Sequence, residues 1–137
     1  MDALGRVFNV LTIADDVYVS MIDCSAITFV NFLAAGDTYT LTEATAQAGT
    51  GAQVLTTIDH FWVQATPGAA WVAVSQTAAS TMVTTSAQDV CVLTVHESEL
   101  SAGYKWLKLT STSTGLVTAI QHDLKVQRKP SNLAALV

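Results

Sequence analysis

The sequence predicts an all-β protein: an antiparallel β-sandwich or barrel-like domain with short turns and an extended C-terminal tail. Three observations carry that expectation. From Thr38 to Glu43, Thr38, Thr40 and Thr42 alternate with Tyr39 and Leu41, which gives a strand one hydroxylated and one apolar face. From Leu116 to Val126, Leu116, Ile120, Leu124 and Val126 fall on one side, and Gln121, Asp123 and Lys125 on the other. Turn-forming residues separate these runs at short intervals, and no stretch carries a convincing helical period.

In chain order, Val7 to Ile13 and Val17 to Met21 are the first β-rich runs, divided by the turn Ala14-Asp15-Asp16. Ile27 to Leu33 follows, and Ala35-Gly36-Asp37 turns the chain into Thr38 to Glu43, with Glu43 placed on the next turn. Residues 44 to 52, rich in Thr, Ala and Gly, read as a flexible loop rather than a low-complexity domain. Val54 to Gln64 reads as one long strand, and Thr66-Pro67-Gly68 breaks the pattern before Ala70 to Ser75. Thr81 to Thr85, Val90 to Val95 and Tyr104 to Leu109 complete the set before Leu116 to Val126, with one short helical turn expected within Glu97 to Gly103. Ser113-Thr114-Gly115 supplies the last turn. Pro130 removes a ladder donor, so the expected division is a sandwich-like domain at 1–129 and a C-terminal tail at 130–137.

At 137 residues the chain is long enough for one real core. Half of it is hydrophobic and only 12% is charged, against about 25% in ordinary domains. Neutral Thr and Ser faces on that scale suggest cover by other subunits. A net charge of −5 opposes broad phosphate contact, so nucleic acid is not an expected partner. The opening MDALGRVFNV has an acid at position 2 and no long apolar run, which reads as neither signal peptide nor membrane anchor. Cys24 and Cys91 sit within alternating apolar stretches and are expected as buried small hydrophobes rather than a disulfide.

No catalytic constellation emerges. His60 beside Asp59, His96 beside Glu97 and Glu99, and His122 beside Asp123 pair imidazole with acid, but no HxxxH, CxxC or EF-hand spacing accompanies them. His122 shares its predicted face with Ile120 and Leu124, which reads as a core histidine, and strand alternation sets Asp123 on the opposite side. His60 and His96 read as loop-end polar residues. There is no nucleophile elbow, oxyanion loop, Walker motif or dinucleotide glycine pattern, and carboxylate pairs are expected by chance among 11 acids. The expectation is a protein that is not an enzyme and holds no metal and no cofactor. Trp62, Trp71 and Trp106 each lie in a β-rich run, where a sandwich core or a subunit contact is the leading reading and a sugar platform the rival.

The C-terminus is the least ordinary stretch. Three of the six Lys and Arg residues, Lys125, Arg128 and Lys129, precede Pro130, and the chain then ends on Leu133, Leu136 and Val137. Such a tail lacks the polar composition of disordered ends. It either folds back over its own sandwich or reaches a neighbour, and the bare surface and basic cluster favour the neighbour. The expected partner-binding residues are therefore Lys125, Arg128, Lys129, Pro130, Leu133, Leu136 and Val137.

The opening MDALGRVFNV, the central QTAASTMVTT with the Val-Cys-Val-Leu strand after it, and the stretch GYKWLKLTSTSTGLVTAIQHDLKVQRKPSNL resemble small virion proteins encoded among the head genes of tailed bacteriophages. Tyr104, Trp106, Leu109, the turn at Gly115, His122-Asp123-Leu124, Gln127-Arg128 and Pro130 carry most of the likeness. The resemblance implies a capsid decoration or cement protein: a β-rich homo-oligomer, often a trimer, on the outside of the head. It would bind the major capsid protein and brace its subunits against internal DNA pressure. Its place would be the virion exterior, and the host cytoplasm during assembly, with no membrane partner. A carbohydrate-binding or adhesion module of a virion, or a tail or head-completion protein, shares the same sequence features.

Overall fold

The computed structural model describes residues 8–113, 116–126 and 135–137. Its strands are β1 (Phe8–Leu11), β2 (Val19–Ser20), β3 (Cys24–Phe32), β4 (Thr38–Ala44), β5 (Gln53–Val54), β6 (Ile58–Gln64), β7 (Val72–Ala79), β8 (Thr81–Val83), β9 (Val90–His96), β10 (Trp106–Ser111) and β11 (Leu116–Leu124). They pair antiparallel into a six-stranded sheet, β1-β11-β3-β9-β6-β7, and a five-stranded one, β2-β10-β4-β5 with β8 also on β4. The sheets face each other across one core, which makes the protein an all-β sandwich. The Glu97–Glu99 segment forms a single 3-10 turn, as the sequence predicts.

The core follows from the alternation. Tyr39 and Leu41 of β4 and Leu107 and Leu109 of β10 point inward from one sheet; Ile27, Phe29, Phe61, Val63, Leu93 and Val95 meet them from the other. Fully burying each such side chain is worth about 1.5–3 kcal/mol before ordering costs. Cys24 and Cys91 are free and buried, as expected, and burial pushes their thiols up to about 12 and about 11.

Several local expectations are corrected. The run Val54 to Gln64 is two strands in different sheets: the chain crosses between β5 and β6, and Leu55 and Ile58 are buried at the crossing. Residues 44 to 52 make a hydrogen-bonded turn, with Thr45 N donating to Thr50 O at 3.0 Å and the Tyr104 hydroxyl to Gly51 O at 3.1 Å. Glu43 lies on β4 rather than on a turn and is fully buried. It is tolerated there because Gln53 Nε2 donates to Oε1 at 2.6 Å and Ser101 N to Oε2 at 2.9 Å.

The largest correction concerns β11, whose two faces are the reverse of the expectation. Val117, Ala119 and Gln121 point into the core, while Leu116, Ile120 and His122 lie on the outward face. Register decides this: Ala119 pairs with Phe29 and Gln121 with Ile27, and partners across a ladder share a side. Gln121 is accepted inside because its Nε2 donates to Ser20 O at 2.5 Å and its Oε1 accepts from Asn9 Nδ2 at 3.3 Å. Asp123 has φ of 51°, which breaks the alternation, packs Leu124 against the core and brings His122 Nδ1 within 3.1 Å of Asp123 Oδ2. His122 is thus an outward residue that does meet its acidic neighbour.

At one end of the sandwich, Asp37 ties three segments together. Its carboxylate accepts from Thr38 N at 2.7 Å, from Thr112 Oγ1 at 2.5 Å and from Ser111 Oγ. Burial opposes its ionisation, but these hydrogen bonds outweigh burial and hold the carboxyl below its ordinary value of 3.8. A depressed folded-state pKa stabilises the fold at pH above the unfolded value, and that contribution fades as pH falls through the folded value. Asp37→Asn is therefore expected to lower stability by about 1–3 kcal/mol at pH 7 and by less at pH 3. Urea unfolding at both pH values measures this; an equal loss at the two would contradict the ionised role.

Candidate functional site

The feature that needs a functional account is the outward face of the six-stranded sheet. Direct Cα partners define its rows: Leu116 with Phe32, then Thr118, Val30, Val92, Trp62 and Ala73. Trp62, Trp71, Phe32 and Leu116 are 46%, 47%, 41% and 46% exposed, so this end of the face is a band of large apolar side chains left in water. Trp62, Trp71 and Val92 line an open cleft of about 330 Å³. The two tryptophans are therefore not core residues: the bulge-free pairing of Trp62 with both Val92 and Ala73 fixes its side chain outward.

Two residues further along β6 and β9 the same face turns polar. Pairing between these strands runs from Gln64↔Val90 to Trp62↔Val92 and stops. Below it a second cavity, about 220 Å³, is lined by residues that include Asp59, His60, Thr94, His96 and Glu99. His60 Nδ1 lies 2.5 Å from Asp59 Oδ1, a contact that holds the Asp59 carboxyl below its usual range. Thr28 Oγ1 lies 2.8 Å from both Thr94 Oγ1 and His122 Nε2. His60 thus lies within β6 rather than at a loop end, whereas His96 closes β9 and caps the 3-10 turn. Among the described residues no group of three or more His, Cys, Asp or Glu is placed to hold a metal ion. Burial pushes the Cys24 and Cys91 thiols up, which disfavours the thiolate that a nucleophile needs.

The residues predicted from the tail divide. Lys125 Nζ pairs with Glu97 Oε1 at 2.5 Å, so its charge is already met within the chain. Arg128, Lys129, Pro130 and Leu133 lie outside the described residues. Leu136 is 9% exposed within the protein's own core cluster, and its carbonyl accepts from Ser20 N at 2.8 Å, while Val137 is exposed. For Leu136 the fold-back alternative is the one observed, because β2 presents a backbone donor beside an apolar seat. Leu136→Ala is expected to cost about 1.5–3 kcal/mol of folding stability, read as a lower urea midpoint. No change in that midpoint would remove Leu136 from the core.

The sequence places Leu116 only on an apolar strand face and gives no role to Val30 or Phe32. A signal was available: Cys24–Phe32 is apolar at Ile27 and Phe29 and again at Val30 and Phe32, and a strand apolar on both faces in an antiparallel sandwich has an outer face to cover. No family model, no curated protein and no solved structure matches this chain.

Proposed function

We propose that this chain is a structural virion protein, a capsid decoration or cement protein that lays the outward face of its six-stranded sheet on the major capsid protein outside a phage head. The observation that carries the proposal is an apolar band in which Leu116, Phe32, Trp62 and Trp71 are exposed and Val30 and Val92 are half-buried between them. A β-pleated surface with aromatic anchors suits a broad, preformed partner. The resemblance to phage head proteins supplies the setting. Arg128 and Lys129, which lie outside the described residues, enter the proposal as basic groups that would set orientation on an acidic partner, with Pro130, Leu133 and Val137 as the tail that follows them.

The test is to add the purified chain to heads assembled without it and to measure occupancy and the temperature of DNA release. Saturable binding that raises the release temperature is expected. Absence of binding to intact heads would overturn the proposal.

A second reading is favoured by one observation: the Trp62–Trp71 cleft and the cavity of His60, Thr94 and His96 lie along the same two strands, with Trp62 two residues from His60 on β6 and Val92 two from Thr94 on β9. An aromatic platform beside hydrogen-bonding groups is what a saccharide needs, so this reading is a glycan-binding virion module. Quenching of tryptophan fluorescence by soluble glycans, with no binding to heads, would decide for it.

A further inference from the structure

We infer that β7 is a homomeric edge: two copies of this chain pair β7 with β7 antiparallel about a twofold axis, joining their six-stranded sheets into one continuous sheet. β7 is the last strand of its sheet, held by β6 on one side, and among the described residues no strand pairs with its other side. Val72 to Ser75 run in regular register against Val63 to His60, while the ladder shifts beyond them, between His60 and Ile58. That regular segment is the pairing stretch. Free edges of this kind are normally blunted by Lys, by Pro or by other charges. Here the sequence has no charged residue and no histidine from Phe61 to Gln88, a stretch that contains the whole of β7.

The missing charge is what selects a second copy as the occupant. With a net charge of −5, two chains repel at most approaches, and the β7 edge is where they meet without opposing like charges. A charged partner would find nothing there to pair with. The side chains of Val72, Ala73, Val74 and Ser75 are small and neutral, so strand pairing brings no buried ion into the joint. Val72, 58% exposed at the start of the strand, would be covered by the same contact. Pairing one strand with its own copy is isologous and closes at two subunits, unlike the trimer that the family resemblance implies.

The inference is independent of what the outward face binds, and its test uses the free protein. Light scattering over a range of concentrations is expected to give twice the 14.5 kDa chain mass, falling to one chain on dilution. Val72→Lys with Ser75→Lys puts one lysine on each face of the edge, so that four like charges crowd the paired strands. It should weaken the dimer at least about tenfold with the melting temperature of the monomer retained. Single cysteines placed in turn from Val72 to Ser75 should form an intermolecular disulfide under mild oxidation at the residue on the twofold, because Cys24 and Cys91 are buried and do not compete. A monomer at every concentration with no cross-link, a trimer, or a dimer indifferent to the lysines would each overturn β7 pairing. Head occupancy, measured separately, reports on the decoration reading and not on this one.

Discussion

If the proposed reading holds, Trp62→Ala with Trp71→Ala is expected to weaken affinity for phage heads by about 100- to 1000-fold, read as lost occupancy at concentrations that saturate with the unmodified chain. Aromatic residues at the centre of an interface commonly contribute about 2 kcal/mol or more each, and about 1.4 kcal/mol is a factor of ten in affinity. Both rings stand on the outward face beside Val92, where a flat partner reaches them first. The fold should survive, because each side chain is already near half exposed; about 1 kcal/mol of stability per substitution is the expected cost. Val83→Ala is the control: Val83 is 59% exposed, but on β8 of the other sheet, and its loss should leave occupancy unchanged. Wild-type occupancy of the double variant would sink the face assignment, and an equal loss from Val83→Ala would reduce it to general stickiness.

The outward face and the β7 edge reinforce each other. Trp71 immediately precedes β7, and Trp62 stands on the strand beside it, so twofold pairing of β7 would set two aromatic clefts on one continuous sheet. Two modest contacts on one rigid body act with a high effective concentration, which allows tight attachment without a strongly hydrophobic monomer. On the proposed reading, a sparsely charged surface would serve assembly twice, once along the edge and once across the face.

How much of this was legible in the sequence depended on local contrast. β4 was readable because Thr and large apolar residues alternate without exception from Thr38 to Leu41. β11 was not, because Thr118, Ala119 and Ile120 differ little in hydropathy and the deciding interaction is the pairing of Ala119 with Phe29, far away in sequence. Glu43 was misplaced for a related reason: a buried carboxylate is tolerated through Gln53 and Ser101 N, partners that no local pattern announces. The tryptophans were visible as residues, yet their exposure followed from which strands flank β6. The core seat of Leu136 depends on a backbone donor from Ser20, again a contact between distant parts of the chain.

Gly36→Ala is expected to be the most damaging single change to the fold, at about 3–5 kcal/mol, or a fall in melting temperature of about 10–20 °C. Gly36 has φ of 76°, a conformation that costs an L-residue about 1 kcal/mol. The larger part is steric. A Cβ there would stand 2.7 Å from Thr85 C, 2.8 Å from Thr84 O and 3.0 Å from Ser86 N, all of them backbone atoms. That backbone cannot retreat cheaply, since Thr84 N donates to Asp37 O at 2.8 Å and Asp37 N to Thr84 Oγ1 at 2.9 Å. Making room would pull apart the junction that also carries the Asp37 carboxylate cluster. Gly68 isolates the two contributions: it has φ of 89° but nothing within 4 Å of an added Cβ, so Gly68→Ala should cost only about 1 kcal/mol. Thermal unfolding of both variants gives the comparison. Equal losses would mean that the segment containing Thr84 and Thr85 does not press on Gly36, and that conformational strain alone governs both turns.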